Sequence, residues 1–408
     1  MRNKLMFLCI LLCALRLAGT SFVDVGGGLT PLSSGSSAWG DYDNDGDLDV
    51  IMTGLDTSSN KITKLYRNDN GLFSDTGSTI IGVSNSSVAW NDYDRDGDID
   101  LLITGRTSSG VSAKIYRNDA GTFVDIAATL TGVWYSSCAW ADYDNDGDYD
   151  VVIAGATSTS SPFNPTTVIY ANSTGVFSSA VTLTGVFMGS VAWADYDGDG
   201  DPDLALSGTT SGAPYTPMFK LYQNEAGSFT EASTPVTSVY SSSQCWIDYD
   251  NDADMDLLVA GYGSSVRTMN LYKNTNGVLS ESGLTFTGIS NAQLACGDID
   301  NDGDPDIIAT GLSSTASSTK VYLNNSGSFS EFSSGITNVQ LAAPVLGDLD
   351  NDRDLDLILT GNTSGAASTG LSKVYRNDNT PTGLIPGVPT NLRRYISGSY
   401  TYLQWDPR

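Results

Sequence analysis

Apolar positions along this chain come in short alternating bursts rather than at helical spacing. Runs such as Asp49-Val50-Ile51-Met52-Thr53-Gly54 and Lys64-Leu65-Tyr66-Arg67 are bounded by Ser, Asn, Gly and Asp, which reads as short strands joined by turns. No stretch reads as a helix longer than a turn. The bursts recur in one fixed order. A short strand such as Ser37-Ala38-Trp39-Gly40 comes first, then an Asp-rich loop and an apolar strand. A variable Ser/Thr/Gly loop, a strand with a central Tyr, a Gly-containing turn (Asn68-Asp69-Asn70-Gly71) and a fourth strand starting at Phe73 complete the unit.

The acidic loops begin at Asp41, Asp92, Asp142, Asp195, Asp248, Asp298 and Asp348, so the unit repeats seven times at steps of 50 to 53 residues. Large residues stand two before each loop (Trp39, Trp90, Trp140, Trp193 and Trp246, then Cys296 and Leu346), and small ones mostly stand three before. That alternation suits one strand with two faces. A second aromatic column, Tyr66, Tyr116, Tyr170, Tyr222, Tyr272, Tyr322 and Tyr375, supplies one large ring per unit for packing between sheets. Four strands per unit and seven units predict an all-β fold, a seven-bladed β-propeller of four-stranded blades. The seventh unit lacks its fourth strand, whereas Phe22-Val23-Asp24-Val25 matches Phe73-Ser74-Asp75-Thr76. The N-terminal strand Phe22–Val25 is therefore expected to complete the last blade.

The propeller is assigned to residues 21–378. Arg2 and Lys4 precede an apolar run from Leu5 to Leu15 and the small residues Ala18, Gly19 and Thr20, so residues 1–20 read as a secretory signal peptide. Residues 379–388 read as a Pro/Gly/Thr linker. Residues 389–408 resemble the truncated start of a fibronectin type III domain, which implies further C-terminal domains in the full-length protein. Cys9 and Cys13 fall in the signal; Cys138, Cys245 and Cys296 are expected as buried free thiols. Asn85, Asn172, Asn324 and Asn362 open triplets that are acceptors for N-linked glycan only in a eukaryotic secretory pathway.

Composition then narrows the function. Of 408 residues, 47 are acidic against 20 basic, a net charge of −27, and there is no His. Ser-His and Cys-His nucleophilic machinery and His-ligated zinc are excluded. No basic patch for nucleic acid can form, and no membrane insertion of the mature propeller is expected. The charge is localised: five Asp in each of seven loops account for 35 of the acids.

Loop one, Asp41-Tyr42-Asp43-Asn44-Asp45-Gly46-Asp47-Leu48-Asp49, fits D-x-D-x-D-G-x-x-D. Carboxylates at positions one, three, five and nine would converge, with the position-seven carbonyl completing an oxygen cage. That donor set suits Ca²⁺, and the strand flanks and absence of Glu at position twelve argue against an EF-hand. The other candidate sets are Asp92, Asp94, Asp96, Asp98 and Asp100; Asp142, Asp144, Asp146, Asp148 and Asp150; and Asp195, Asp197, Asp199, Asp201 and Asp203. Blades five to seven carry Asp248, Asp250, Asp252, Asp254 and Asp256; Asp298, Asp300, Asp302, Asp304 and Asp306; and Asp348, Asp350, Asp352, Asp354 and Asp356. Up to seven Ca²⁺ are expected, and would carry the formal charge from −27 to −13. Position six, expected at positive φ, is Gly except for Ala253 and Arg353, so the loops at Asp248 and Asp348 are expected to bind most weakly. Position eight, Leu48 in loop one, is expected to plug the blade core.

These loops and their flanking strands resemble the FG-GAP/VCBS-type repeats of integrin α-subunit head domains and of many secreted propellers. The resemblance covers about residues 22–378. It implies cations that brace the blades from one side while binding takes place on other surfaces.

Strand alternation puts the Asp loops and Gly turns on one face of the disc and the variable loops and blade connections on the other. The second face carries aromatics in blades three to five: Trp134, Tyr135, Phe163, Phe187, Tyr215 and Tyr240, with Met188 and Tyr262 beside them. Rings clustered in one sector suit recognition of a glycan or an extracellular protein, with packing of loops onto blades as the alternative. The chain thus reads as a secreted or cell-surface, calcium-stabilised binding or adhesion module with no catalytic residues assigned. A polysaccharide lyase or hydrolase, or a passive spacer, is the alternative.

Overall fold

The computed structural model describes residues 21–314 and 316–378, together with the strands Thr390–Ser397 and Tyr400–Asp406. The expected signal peptide and the linker at 379–388 lie outside the described residues. The two C-terminal strands pair as an antiparallel hairpin.

Seven antiparallel blades follow one another. Blade one is Ser37–Gly40, Asp49–Leu55, Lys61–Asp69 and Leu72–Asp75, joined in that order, and blades two, five and six repeat the pattern. Blades three and four are fused into one sheet, because Val176–Ala194 runs unbroken from the outer edge of one to the inner edge of the next. Val181-Thr182-Leu183-Thr184 occupies that connection, and its β-branched Val181, Thr182 and Thr184 favour extended backbone there. Blade seven consists of Gln340–Gly347, Asp356–Asn362 and Gly370–Asn377, with Phe22–Asp24 as its outer strand. Phe22 pairs with Asn377, Val23 with Arg376 and Asp24 with Tyr375, and Lys373 holds Asp24 at 2.8 Å. The expected N-terminal closing strand is present.

The innermost strands lie side by side around an axis, and the last, Gln340–Gly347, lies beside the first, Ser37–Gly40. Polar links repeat across each junction. The indole N–H of Trp90, Trp140 and Trp246 reaches the carbonyl of Ala38, Ala89 and Ala192 in the preceding blade, and Trp39 reaches Val345 of blade seven. Gly54 N–H donates to Val83 O at 3.0 Å, and Gly361 N–H donates to Leu32 O at 3.0 Å across the closing junction. A Cβ at Gly54 would sit 2.6 Å from Ser33 O, so only glycine permits that approach.

Second strands read as unbroken apolar runs because both their faces are covered. Val50, Ile51 and Met52 are all fully buried, and each core cluster spans two neighbouring blades, as where Leu102 and Ile115 meet Val151 and Ile153. Each such side chain contributes about 1.5–3 kcal/mol on burial. All seven column tyrosines are buried. Their hydroxyls accept the N–H of the connection entering the same blade, as at Thr30 (2.9 Å), Thr131 (2.9 Å) and Thr237 (2.9 Å). The column is structural, as its spacing implied. Cys138 is buried and Cys245 and Cys296 are partly so, all as free thiols. Of the glycan-acceptor asparagines, Asn172, Asn324 and Asn362 are buried, which removes them as attachment points on the folded chain.

Removing the outer strand of blade seven exposes Phe22 and leaves a ladder edge of the Gly370–Asn377 strand unpaired. Deletion of Phe22–Asp24 should lower the calorimetric Tm by far more than deletion of residues 107–109 from a variable loop. Equal melting temperatures for the two deletions would count against closure by this strand.

Candidate metal centres and the opposite face

Each acidic loop is shaped by its own carboxylates. The position-nine aspartates, Asp49, Asp100, Asp150, Asp203, Asp256, Asp306 and Asp356, are at most 1 % exposed. One oxygen accepts the N–H of position two and the other accepts an N–H from the third strand, as Asp49 does from Tyr42 (3.2 Å) and Asn68 (2.8 Å). Position one caps the turn: Asp41 accepts the N–H groups of Asp45 and Gly46, each at 3.0 Å. Position five accepts from position seven, as Asp45 does from Asp47 at 3.0 Å. Backbone donors thus preorganise the loop around the carboxylates.

Position three is different. Asp43, Asp144, Asp250, Asp300 and Asp350 each hold a buried Oδ1 with no hydrogen-bond partner among the described residues, and Asp142 at position one of loop three does the same. A buried anionic oxygen without a donor is costly. Its neighbours are other carboxylates: in loop one, oxygens of Asp41, Asp43 and Asp49 lie within 4.8 Å of one another. The same holds for Asp92, Asp94 and Asp96, for Asp142, Asp144 and Asp146, for Asp195, Asp197 and Asp199, and for Asp248, Asp250 and Asp256. Burial raises the position-nine carboxyls to about 7. Asp300 rises to about 6, and Asp43, Asp94, Asp144 and Asp350 rise as well, by desolvation first and then through the neighbouring aspartates. An all-oxygen set with orphaned inward oxygens fits a hard divalent cation.

The position-seven side chains do not join the cage. Asp47, Asp98, Asp201 and Asp304 commit both oxygens elsewhere: one to a position-four Asn of the preceding loop, the other to a turn N–H. Only their carbonyls remain for an ion. Asn351 of blade seven reaches Asp47 of blade one at 2.6 Å, which closes this polar ring. The expected plug is also corrected. Position eight is only partly covered, and Tyr149 is exposed; position two, with Tyr42, Tyr93, Tyr143, Tyr196, Tyr249, Ile299 and Leu349, is the buried one. Position nine must point into the loop, so its neighbour at position eight faces outward and the first turn carries the plug.

Two asparagine columns went unrecognised in the sequence. Position four is left-handed in every loop, with φ between 56 and 77°, a conformation Asn tolerates; Asn44, Asn145, Asn251, Asn301 and Asn351 add the bond to the next loop. The second column lies two residues after each column tyrosine. Asn68 donates to Leu48 O at 2.9 Å and to Leu349 O of the preceding blade at 2.8 Å, while its own oxygen accepts Gly71 N–H at 2.7 Å. Asn118, Asn224, Asn274, Asn324 and Asn377 likewise reach the preceding blade. Perfect recurrence at Tyr+2 was the available signal.

The loops are unequal. Position six has φ of 94–97° at its glycines but 72° at Ala253 and 78° at Arg353, so positive φ is imposed on residues that resist it. The residue after each column tyrosine also matters. Arg67 reaches Asp45 at 2.7 Å and Asp43 at 3.4 Å, and Lys273 contacts both Asp250 and Asp252. Arg117 and Arg376 turn to Asp119 and Asp378. Blades three and six carry Ala171 and Leu323 there, so this position supplies no side-chain cation to their carboxylates.

On the opposite face the aromatic sector divides. Trp134 and Phe187 are buried, at 7 % and 2 % exposure, and pack with Ala156, Phe163 and Met188; Trp134 also donates to Ser158 O at 2.9 Å. These two expected ligand residues are loop packing. The register shifts between Trp134 and Ser137 and between Phe187 and Ser190, and such a bulge turns the preceding ring into the blade. Tyr215 is 39 % exposed and stacks on Tyr240 at 5.0 Å, which meets Tyr262 at 5.5 Å. Tyr135 covers Trp134 at 4.3 Å. Together the tyrosines form an accessible ridge across blades three to five.

A family model described as FG-GAP-like repeat matches residues 41–103, 92–153, 142–206, 248–309 and 298–359. No curated protein matches the chain. Among solved structures, a lectin of Aleuria aurantia in complex with α-methyl-L-fucoside is similar at TM-score 0.44 and 11 % identity, covering 75 % of this chain and 96 % of the lectin. The same lectin in complex with Fucα1-6GlcNAc gives TM-score 0.43 and 11 % identity over 75 % and 97 %.

Lys273→Leu should raise the Ca²⁺ affinity of loop five, and Ala253→Gly should stabilise the fold by about 1 kcal/mol; calorimetric titration and thermal melting read the two effects. For pH, a carboxyl that keeps its proton to about 7 when folded and releases it near 3.8 when unfolded makes folding take up protons between those limits. Stability in chelator should therefore fall as pH rises from about 4 to 7. In excess Ca²⁺, which needs the ionised cage, the trend should reverse; parallel melts at stepped pH test the crossing.

Proposed function

Because the chain belongs to the FG-GAP-like repeat family, we propose that it is a calcium-braced extracellular binding module. It recognises a glycan or an extracellular protein through the face opposite its acidic loops. The observation that carries the cation part is the buried, partnerless Oδ1 recurring at position three. In each loop the carboxylates of positions one, three, five and nine would hold the ion, which supplies charge neutralisation at the junction of loop and third strand. Because the position-nine Asp and the neighbouring Asn link two blades, bracing a loop also braces a junction.

The recognition part is supported by the ridge of Tyr215, Tyr240 and Tyr262. Arg267 lies 5.5 Å over the Tyr262 ring and Arg106 lies 5.1 Å over Trp134, so the ridge is held in place by its neighbours. Rigid rings offer contact area at little entropic cost. The proposed setting is the cell surface or the extracellular medium, where calcium is abundant.

Each loop at ten times its dissociation constant would add about 1.4 kcal/mol. Chelation should therefore lower Tm strongly, and a melting curve indifferent to EDTA would overturn the bracing role. A glycan array and cell-binding assay in Ca²⁺ should give binding that drops for Tyr215→Ser with Tm unchanged. Release of product from a polysaccharide panel would instead favour an enzyme.

A further inference from the structure

Every innermost strand is entered through a bulge whose first residue is left-handed: Ser34, Asn85, Tyr135, Met188, Ser241, Asn291 and Leu341, with φ of 45–55°. In blades two to seven the register shifts at this point. The bulge turns these side chains toward the axis, where all seven line an opening of about 100 Å³ that is continuous with solvent. Backbone bonds tie the rim, with Ser34 N–H donating to Leu341 O at 2.9 Å and Asn85 N–H to Ser34 O at 2.6 Å. The opening lies on the face of the variable loops, and it is smaller than the about 300–1,000 Å³ of enclosed small-molecule pockets, so it takes no more than one small unit at its mouth.

The seven positions are conformationally equivalent but chemically different. Gly or Asn would occupy them at least strain, and blades two and six use Asn. Tyr135, Met188 and Leu341 are bulky residues held at φ 45°, 51° and 49°, where such side chains are disfavoured. Strain retained at a cavity rim is a mark of function, since folding alone would be better served without it. The chemistry of the rim is also specific. No carboxylate, lysine or arginine lines the opening, so a charged ligand finds no counter-charge. The Tyr135 ring is backed by Trp134 at 4.3 Å, which fixes its orientation. Below the rim the Ser86, Ser136 and Ser242 hydroxyls are already bonded to Thr53, Thr104 and Ser207. The side-chain amides of Asn85 and Asn291 make no hydrogen bond with the described residues and remain available.

We propose that this axial mouth binds a neutral sugar unit, with Tyr135 stacking on the pyranose ring and Asn85 and Asn291 hydrogen-bonding its hydroxyls. The inference rests on the reading of this face as the recognition face and places the contact at its centre, with the tyrosine ridge extending outward from it. A fixed ring beside unpaired amide donors and acceptors, in a wall without charge, suits a molecule that has both apolar C–H faces and neutral hydroxyls.

Saturation-transfer NMR on the full chain in Ca²⁺, with methyl glucoside, galactoside and mannoside and with glucuronic acid as charged control, tests it. Signal is expected for at least one neutral pyranoside and not for the acid. Tyr135→Asn relieves the left-handed strain but uncovers Trp134, so a melt in Ca²⁺ first establishes that the variant is folded, and its binding should fall about tenfold, the loss of roughly 1.4 kcal/mol. Asn291→Gly, also compatible with positive φ, should weaken binding with Tm near the parent value. No transfer to any neutral pyranoside, or undiminished transfer in Tyr135→Asn, overturns the site. A glycan array that is positive and unaffected by Tyr135→Asn removes the mouth but leaves the face; a blank array removes both.

Discussion

The architecture depends on the burial of one carboxylate per blade. The ninth aspartate of each loop is withdrawn from water and survives there because the loop and the third strand each give it an N–H. Those two bonds register the acidic hairpin against the middle of the sheet. The asparagine that supplies the second donor also reaches the previous blade, so a local electrostatic requirement fixes the spacing between sheets. A divalent ion in the cage would remove the remaining repulsion without disturbing this network.

This arrangement separates the molecule into two faces with different chemistry. Charge, left-handed asparagines and backbone donors crowd one side, where each loop is stapled to the next. The other side carries neutral loops and rings. Rigidity on the first allows strain on the second: bulky residues keep positive φ at the axial rim because the strands beneath them are held at both neighbours.

Much of this was legible in the chain itself. A period near fifty residues, the tyrosine column and the match of Phe22 to Phe73 led to the blades and their closure, since repeated packing problems receive repeated answers. The acidic spacing located the cages. What escaped notice depended on geometry that periodicity does not encode. Asn68 and its counterparts look like turn residues, although their amides cross between blades. Position eight looked buried because it is apolar, whereas the direction of the ninth carboxylate sends the second residue inward instead. Trp134 and Phe187 looked exposed because they sit in connections, and a bulge reverses which way they face. Arg67 and Lys273 are distant in sequence from the loops they neutralise.

The pairing of Phe22 with Asn377 carries a mechanical consequence. The two partners sit at the same end of an antiparallel ladder, so a pull between the N-terminal strand and the chain that leaves after Asn377 would open their bonds one after another instead of shearing them together. Blade seven would then yield first, by peeling, while the other six, each continuous in sequence, kept their sheets. Under load the disc would behave as a ring with a single weak link, able to lengthen by releasing a short strand and to recover when the force drops.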